Sequence, residues 1–408
     1  MKRRKNADPL LLKERLWKIA YVAVCLAIIA LTAFQLFVIY QDPSADWDYR
    51  VYSGAVQAFD HAQNPYILED VTRYVGGDLP FTYPPHTLYF FWILDLFSVF
   101  ENIVIYYALL VILLVISGYL IATIDNKPDY LFLITLLVTG FMGTVWNFGT
   151  GNKDIMFLVL FALIFVLLVK KKYWQSSIVM GLTAAISLIT GPFVAIYLVV
   201  KRPVVDRLTY ILVSGGVVAL LFLISYCVNL TYFASYIDTL RGGTSPLYDI
   251  GGYNTPTPYL MFGDLLKGVN ISGIIPIALV SCAYIGIILY ATWKYYGKNR
   301  QDILKIYSIV MFAIFMMLPR IKPYDFIILT VPLYFLFRDC SYRMKILMFA
   351  IVSLPIFGWY MNFLVYPYDI PFLLGIYTQT YSMFLIFIVI ILYGCVKRSS
   401  ARLEKNPA

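Results

Sequence analysis

Read for the spacing of its apolar and polar positions, the chain is a series of long apolar runs separated by short polar hinges. Runs at 17–40, 102–124, 207–228, 271–294, 345–362 and 372–396 meet or approach the ~20 residues a helix needs to cross ~30 Å of hydrocarbon. Shorter runs lie at 84–100, 130–146, 153–169, 175–189, 191–200, 303–319 and 324–338. The pattern predicts an all-α polytopic membrane protein, one integral membrane domain over 1–408. Two stretches are too long and too polar to be hinges: 41–101 and 229–270. In the first, Asp48, Tyr52, Ala55 and Phe59 fall at i, i+4, i+7 and i+11, which predicts a helix with Asp48 in its first turn. In the second, Arg241-Gly242-Gly243 and the Gly- and Pro-rich stretch after it argue against a long regular element, and an apolar stretch from Tyr259 suits the membrane interface.

Composition agrees. Of 408 residues, 61% are apolar and 13% charged, against roughly half and a quarter in soluble domains. That excludes an ordinary soluble enzyme, a disordered chain and a disulfide scaffold. Five scattered Cys and two His offer neither a bridge framework nor a zinc site.

Charge sets the expected topology. The chain begins MKRRKNADPLLLKERLWK, without the short apolar core and small-residue cleavage site of a signal peptide. Lys and Arg gather on the cytoplasmic side of membrane proteins, so this basic start predicts a cytoplasmic N-terminus. The stretch 41–83 holds seven acids and two Arg, and belongs outside. If 84–100 crossed, the triplet Lys170-Lys171-Lys172 would fall outside. With 84–100 as a non-crossing surface helix, about twelve spans follow, both ends are inside, and the break at Gly191-Pro192 splits 175–200 into two short helices. The inside then carries 25 of the 32 Lys/Arg and the outside seven. The net charge of +9 is thereby a cytoplasmic property; the outer face is acidic.

The scarce outer cations stand out. Arg320 and Lys322 lie in the hinge Pro319-Arg320-Ile321-Lys322-Pro323-Tyr324-Asp325, and Lys153 in the hinge Trp146 to Asp154. Cations at the mouth of a bundle suit a phosphate. The competing readings are snorkelling to lipid headgroups for the first two, and plain neutralisation of Lys153 by Asp154. Asp46-Trp47-Asp48 is formally a D-x-D, a weak metal signal, and Asp48 has a helix-cap reading. No ionisable residue is evident at mid-membrane, unlike ion-coupled transporters.

The string DYRVYSGAVQAFDHAQNPY, followed by FTYPPHTLYFFWILDLF, resembles the polyprenol-phosphate-mannose-dependent mannosyltransferases of glycosyltransferase family 87, in the GT-C class. The resemblance rests on Asp48, Tyr49, Tyr52, Gly54 and Ala55, on Asn64-Pro65-Tyr66, and on Tyr83-Pro84-Pro85. Gly149-Thr150-Gly151-Asn152 is similar to the family's GQxN, with Thr150 near the usual Gln. Leu188 to Phe193 resembles the Lys-Gly-Pro break of the class, with Thr190 in place of Lys. The late hinge, which bears His in many relatives, reads Arg320-Ile321-Lys322. The resemblance covers the first 200 residues well and the rest by layout.

It implies a GT-C architecture with surface helices over an outer cavity. It also implies an inverting transfer of mannose from a polyprenyl-phosphate donor to a lipid-linked or glycan acceptor. Asp48 would be the general base, with Asp46 the second candidate. Arg320, Lys322 and Lys153 would bind the donor phosphate. Tyr52, Tyr66, Tyr83, Asn152, Arg241, Tyr324 and Asp325 would contact sugar or acceptor. No metal and no cofactor beyond the donor are expected; membrane lipid is the expected partner, nucleic acid is not, and the plasma (inner) membrane is the expected location. The other classes weighed are a lipid-linked glycan flippase, an O-antigen-type polymerase or ligase, and a non-enzymatic assembly partner.

Overall fold

A computed structural model describes residues 9–42, 45–75, 81–125, 127–241, 255–266, 300–318, 320–365 and 377–403, with short pieces between 278 and 290. The expected span 271–294 falls largely outside the described residues, as does the Gly-rich part of the second loop. The elements are helical throughout: α1 (Pro9–Tyr40), α2 (Trp47–Asp60), α3 (Leu68–Val75), α4 (Pro85–Asp95), α5 (Ile103–Ile124), α6 (Tyr130–Thr139), α7 (Gly143–Thr150), α8 (Ile155–Val169) and α9 (Tyr173–Ile186). They continue as α10 (Val204–Val228), α11 (Leu230–Leu240), α12 (Pro258–Leu266), α13 (Arg300–Met317), α14 (Thr330–Phe337), α15 (Tyr342–Val352), α16 (Leu354–Val365) and α17 (Thr378–Leu403).

Among the described residues, four stretches are long and apolar enough to cross a membrane: Leu12–Tyr40, Ile103–Ile124, Tyr130–Thr150 and Val204–Val228. A fifth is the pair Tyr342–Val352 and Leu354–Tyr360, bent by 41°. Several shorter apolar segments gain length by being wound more tightly. Leu188–Val199 is a 3₁₀ segment of 12 residues; at ~2.0 Å per residue it spans about 24 Å, against about 18 Å as an α-helix. Pro323–Leu329 is also 3₁₀ and runs into α14.

The helix break comes earlier than the sequence suggested. The chain leaves α9 at Ser187, in an extended conformation, and Gly191-Pro192 lie within the 3₁₀ segment. Pro disfavours the helical conformation of the residue before it and clashes one turn back. Breaking at Ser187 moves Pro192 out of the α-helix. The helix expected at 84–100 is α4 and is likewise shorter. Its 11 residues, Pro85–Asp95, reach about 16 Å, half the ~30 Å core. The Asp95 carboxylate closes it by accepting the Phe100 N–H at 2.8 Å.

Between α6 and α7 three residues in succession, Gly140, Phe141 and Met142, have positive φ. This kink lets the chain pass Ile327 at close range: a Cβ on Gly143 would sit 2.4 Å from the Ile327 backbone nitrogen. Gln379 donates to the carbonyls of Phe141 (2.9 Å) and Pro323 (3.2 Å), tying α17 to both broken segments.

The buried ion pairs among the described residues form two groups, at the two ends of the bundle. At one end Asp125 meets Arg338 at 3.0 Å and Tyr334 at 2.9 Å. There too Asp129 meets Lys345 at 2.7 Å, and Arg343 lies over Trp17. At the other end lie α2–α4, α11 and the hinges 146–154, 187–189 and 320–325. His86, in the first turn of α4, bonds Ser225 of α10 and the Ala185 carbonyl of α9, each at 2.9 Å. It fixes α4 to two neighbours of the site.

Candidate functional site

The site begins with α2. Its helical face buries Tyr52 and Ala55 fully, which leaves the first turn to hold half-buried Asp48 at the bundle's edge. Gly151 makes that placement possible. It has φ +67°, and a Cβ there would come within 2.5 Å of Tyr49 Cβ, so only glycine lets the 146–154 hinge reach α2. Asn152 follows at once. Its amide donates to Asp48 Oδ2 at 3.0 Å, and its oxygen accepts the Asp154 N–H at 3.0 Å. Asn147 braces the same hinge by donating to the Tyr324 carbonyl (3.0 Å) and accepting the Ile155 N–H (3.2 Å). Burial pushes the Asp48 carboxyl above the usual carboxylate range; hydrogen bonds from Asn152 and Thr150 and the charge of Lys153 pull it partway back.

Near this carboxylate, which does not itself line it, is a polar cavity of about 370 Å³. Tyr83 and Pro84 form one wall, Lys153 and Asp154 another, Ser187 to Ile189 a third, and Arg320, Lys322, Tyr324 and Asp325 a fourth; Tyr236 and Thr239 of α11 close it. The Lys153 ammonium lies 3.2 Å from Asp154 and 3.9 Å from the centre of the Tyr83 ring, with the side chain almost wholly buried. Burial alone would discharge it, but Tyr83 and Asp154 outweigh that and hold its pKa above the ordinary lysine value. Asp325 accepts the Lys322 N–H at 2.6 Å and so caps the 3₁₀ segment. Burial, and then the neighbouring Asp154, raise the Asp325 carboxyl well above its usual range. Two carboxyls in contact cannot both ionise cheaply, so the pair resists carrying two full charges. The cavity therefore presents three cations against a partly neutralised acid pair, with Asp48 close enough to feel Tyr83, Tyr324 and Lys153.

The family model described as glycosyltransferase family 87 matches residues 81–319, more than half of the chain. The chain belongs to glycosyltransferase family 87. It is thus a membrane glycosyltransferase. Comparison with curated proteins finds no match. The matched stretch takes in Tyr83, Asn152 and Lys153; Asp48 precedes it and Arg320 follows it.

Within this family 87 chain the residues singled out from sequence do not all lie together. Tyr83, Lys153, Arg320, Lys322, Tyr324 and Asp325 line the one cavity. Asn152 is fully buried behind it and orients Asp48. Tyr52 and Tyr66 are buried supports for Tyr83: Tyr52 Oη lies 3.3 Å from Tyr83 Oη, and Tyr66 donates to the Tyr83 carbonyl at 2.8 Å. Arg241 lies on the exposed surface of α11's end, paired with Asp238 at 3.5 Å, and does not line the cavity. Asp46 sits just before α2 with φ +60° and makes no cap bond; its carboxylate pairs with Arg50 at 3.2 Å and faces a different groove. Lys153 and Asp154 do pair, as their adjacency suggested, yet they do so buried in the cavity wall. Asp154, Asn147 and Ser187 are the positions whose importance sequence reading missed. For Asn147 a signal existed: a polar amide between two apolar runs needs a buried partner.

Proposed function

We propose that the protein transfers a hexose, mannose by the family resemblance, from a polyprenyl-phosphate donor to a lipid-linked or glycan acceptor, with inversion. In this reading Asp48 is the general base and takes the proton of the attacking hydroxyl. Its desolvated carboxylate has raised basicity, which suits that task. Lys153, Arg320 and Lys322 hold the donor phosphate and stabilise it as its charge grows on departure. Tyr83 and Tyr324 flank the sugar. The observation that carries the reading is the convergence of three cations from two distant hinges in one cavity near Asp48.

The same reading places this end of the bundle on the extracytoplasmic side, with about twelve crossings and both termini cytoplasmic. Its support is the segregation of hinges: those expected outside gather round the cavity, and the Lys/Arg-bearing hinges at 125–129 and 338–345 pair with each other at the opposite end. The test of the phosphate assignment is donor KM in Arg320→Ala and Lys322→Ala. Each is expected to rise about tenfold or more, the worth of a charge-assisted hydrogen bond. An unchanged KM in both leaves these side chains to lipid headgroups.

A further inference from the structure

Three consecutive segments run from the cavity to the far end of the bundle. α8 starts next to Asp154, α9 ends at Ile186 and the 3₁₀ segment starts at Leu188, and these three residues all line the cavity. The opposite ends of the segments meet in two hinges, 170–172 and 200–203, about 22–24 Å away by the rise of 15 α-helical or 12 3₁₀ residues. The hinges carry Lys170, Lys171, Lys172, Lys201 and Arg202, all exposed. Over 170–176 and 200–207 the single acid is Asp206, against six Lys and Arg. Elsewhere at this end Arg338 and Lys345 pair with Asp125 and Asp129. Among the described residues, none of the five hinge cations has an acid within ion-pair distance.

The patch has a fixed core. Arg207 donates to the Arg202 carbonyl at 2.9 Å and to the Leu198 carbonyl at 2.7 Å, which closes the 3₁₀ segment and braces the turn bearing Lys201 and Arg202. The Arg202 guanidinium lies 5.3 Å from the centre of the Tyr173 ring. That ring packs on Tyr210 at 5.5 Å, and Tyr210 also packs on Trp174 and Tyr197. An Arg held over an aromatic face keeps its forked N–H donors available to an anion. Through this contact the two hinges form one surface. Its edge borders hydrocarbon: α10 starts there and is long and apolar enough to cross a membrane. Val204, Leu208 and Leu212, one turn apart on that helix, are strongly exposed, and so is Trp174 beside the Tyr173–Tyr210 pair. Trp at such a boundary sits at headgroup level.

We infer that this patch binds the headgroup of an anionic phospholipid, with the lipid tails along the first turns of α10. Charge that only sets topology needs neither clustering on two hinges nor an Arg fixed on a ring. A soluble acidic peptide would satisfy the cations and leave the apolar stripe of α10 bare; a phospholipid covers both. The patch lies at the other end of the bundle from the transfer cavity and stands apart from the reading of that cavity.

The test is native mass spectrometry of the full chain, purified in detergent and given equal amounts of phosphatidylglycerol and phosphatidylcholine with the same tails. Retention is expected to favour phosphatidylglycerol at least tenfold. Each cation close to an anionic headgroup is worth about fivefold in binding, so Lys201→Gln with Arg202→Gln is expected to bring the two lipids close to parity. Lys170→Gln with Lys172→Gln reads the other hinge if the first pair of substitutions does not fold. Lys127→Gln, an exposed cation of the same end outside the patch, is expected to keep the preference. Equal retention of the two lipids by the wild type overturns the site. So does a preference that survives both double variants, or one that falls as far in Lys127→Gln. Displacement of phosphatidylglycerol by inorganic phosphate or by an oligoglutamate peptide, at matched charge concentration, assigns the patch to a soluble anion and overturns the lipid. Retention needs no turnover, so the result is independent of whether the chain transfers mannose.

Discussion

Lys153 is the residue at which stability and donor binding can be told apart. Lys153→Met removes the ammonium and keeps the stem. In the structure Lys153 is 5% exposed and Asp154 2%, with the ion pair at 3.2 Å. Breaking a buried pair costs about 3–5 kcal/mol, because the surviving charge is stranded. Asp154 retains the neighbouring Asp325 carboxyl, so the expected cost is at the low end, about 3 kcal/mol. In Lys153→Met with Asp154→Asn no charge is stranded, and most of that loss should return. Donor binding should not return, since the phosphate has lost a charge-assisted contact worth about 1.5–3 kcal/mol, roughly 10- to 150-fold in KM. Thermal unfolding and donor KM with polyprenyl-phosphate mannose, measured on the same preparations of wild type, two single variants and the double, give the full cycle. If the double variant recovers wild-type donor KM together with its stability, Lys153 is a structural ion-pair partner and the phosphate role is refuted.

Two further outcomes follow from the same network. Asn152→Ala removes the hydrogen bond that favours ionised Asp48. The Asp48 pKa should rise, so the acid limb of the kcat/KM profile should move to higher pH; an unmoved limb means that Asp48 does not set it. Gly151→Ala places a Cβ 2.5 Å from Tyr49 Cβ at φ +67°, which combines about 1–2 kcal/mol of backbone strain with overpacking of about 1–3 kcal/mol. A clear fall in unfolding temperature and in turnover is expected, while Gly191→Ala, with nothing within 4 Å of its would-be Cβ, should behave as wild type.

What was legible in the sequence was the part governed by local periodicity and by charge. The α2 face was visible because Tyr52, Ala55 and Phe59 repeat at helical spacing, and α4 because a short apolar run opens on Tyr83-Pro84-Pro85. The assembly of the cavity was not legible, since Tyr83, Lys153, Ser187 and Arg320 are far apart in the chain and meet only through packing. The kink before α7 was hidden for a different reason: Phe141 and Met142 adopt positive φ, which their side chains do not announce. Gln379 and the close passage of Ile327 hold that strained turn, and both are distant in sequence. The Lys153-Asp154 pair was read correctly as a pair, but adjacency carries no information about burial.

The most direct measurement is turnover of purified Asp48→Asn with polyprenyl-phosphate mannose and a glycolipid acceptor. Asn keeps the size of the side chain and removes its basicity. A general base contributes about 10²–10⁴ in rate, so kcat should fall at least ~100-fold while donor KM, set by the cations across the cavity, stays close to wild type. Near-wild-type kcat in that variant would contradict the assignment of Asp48 and, with it, the reading of this cavity as the place of transfer.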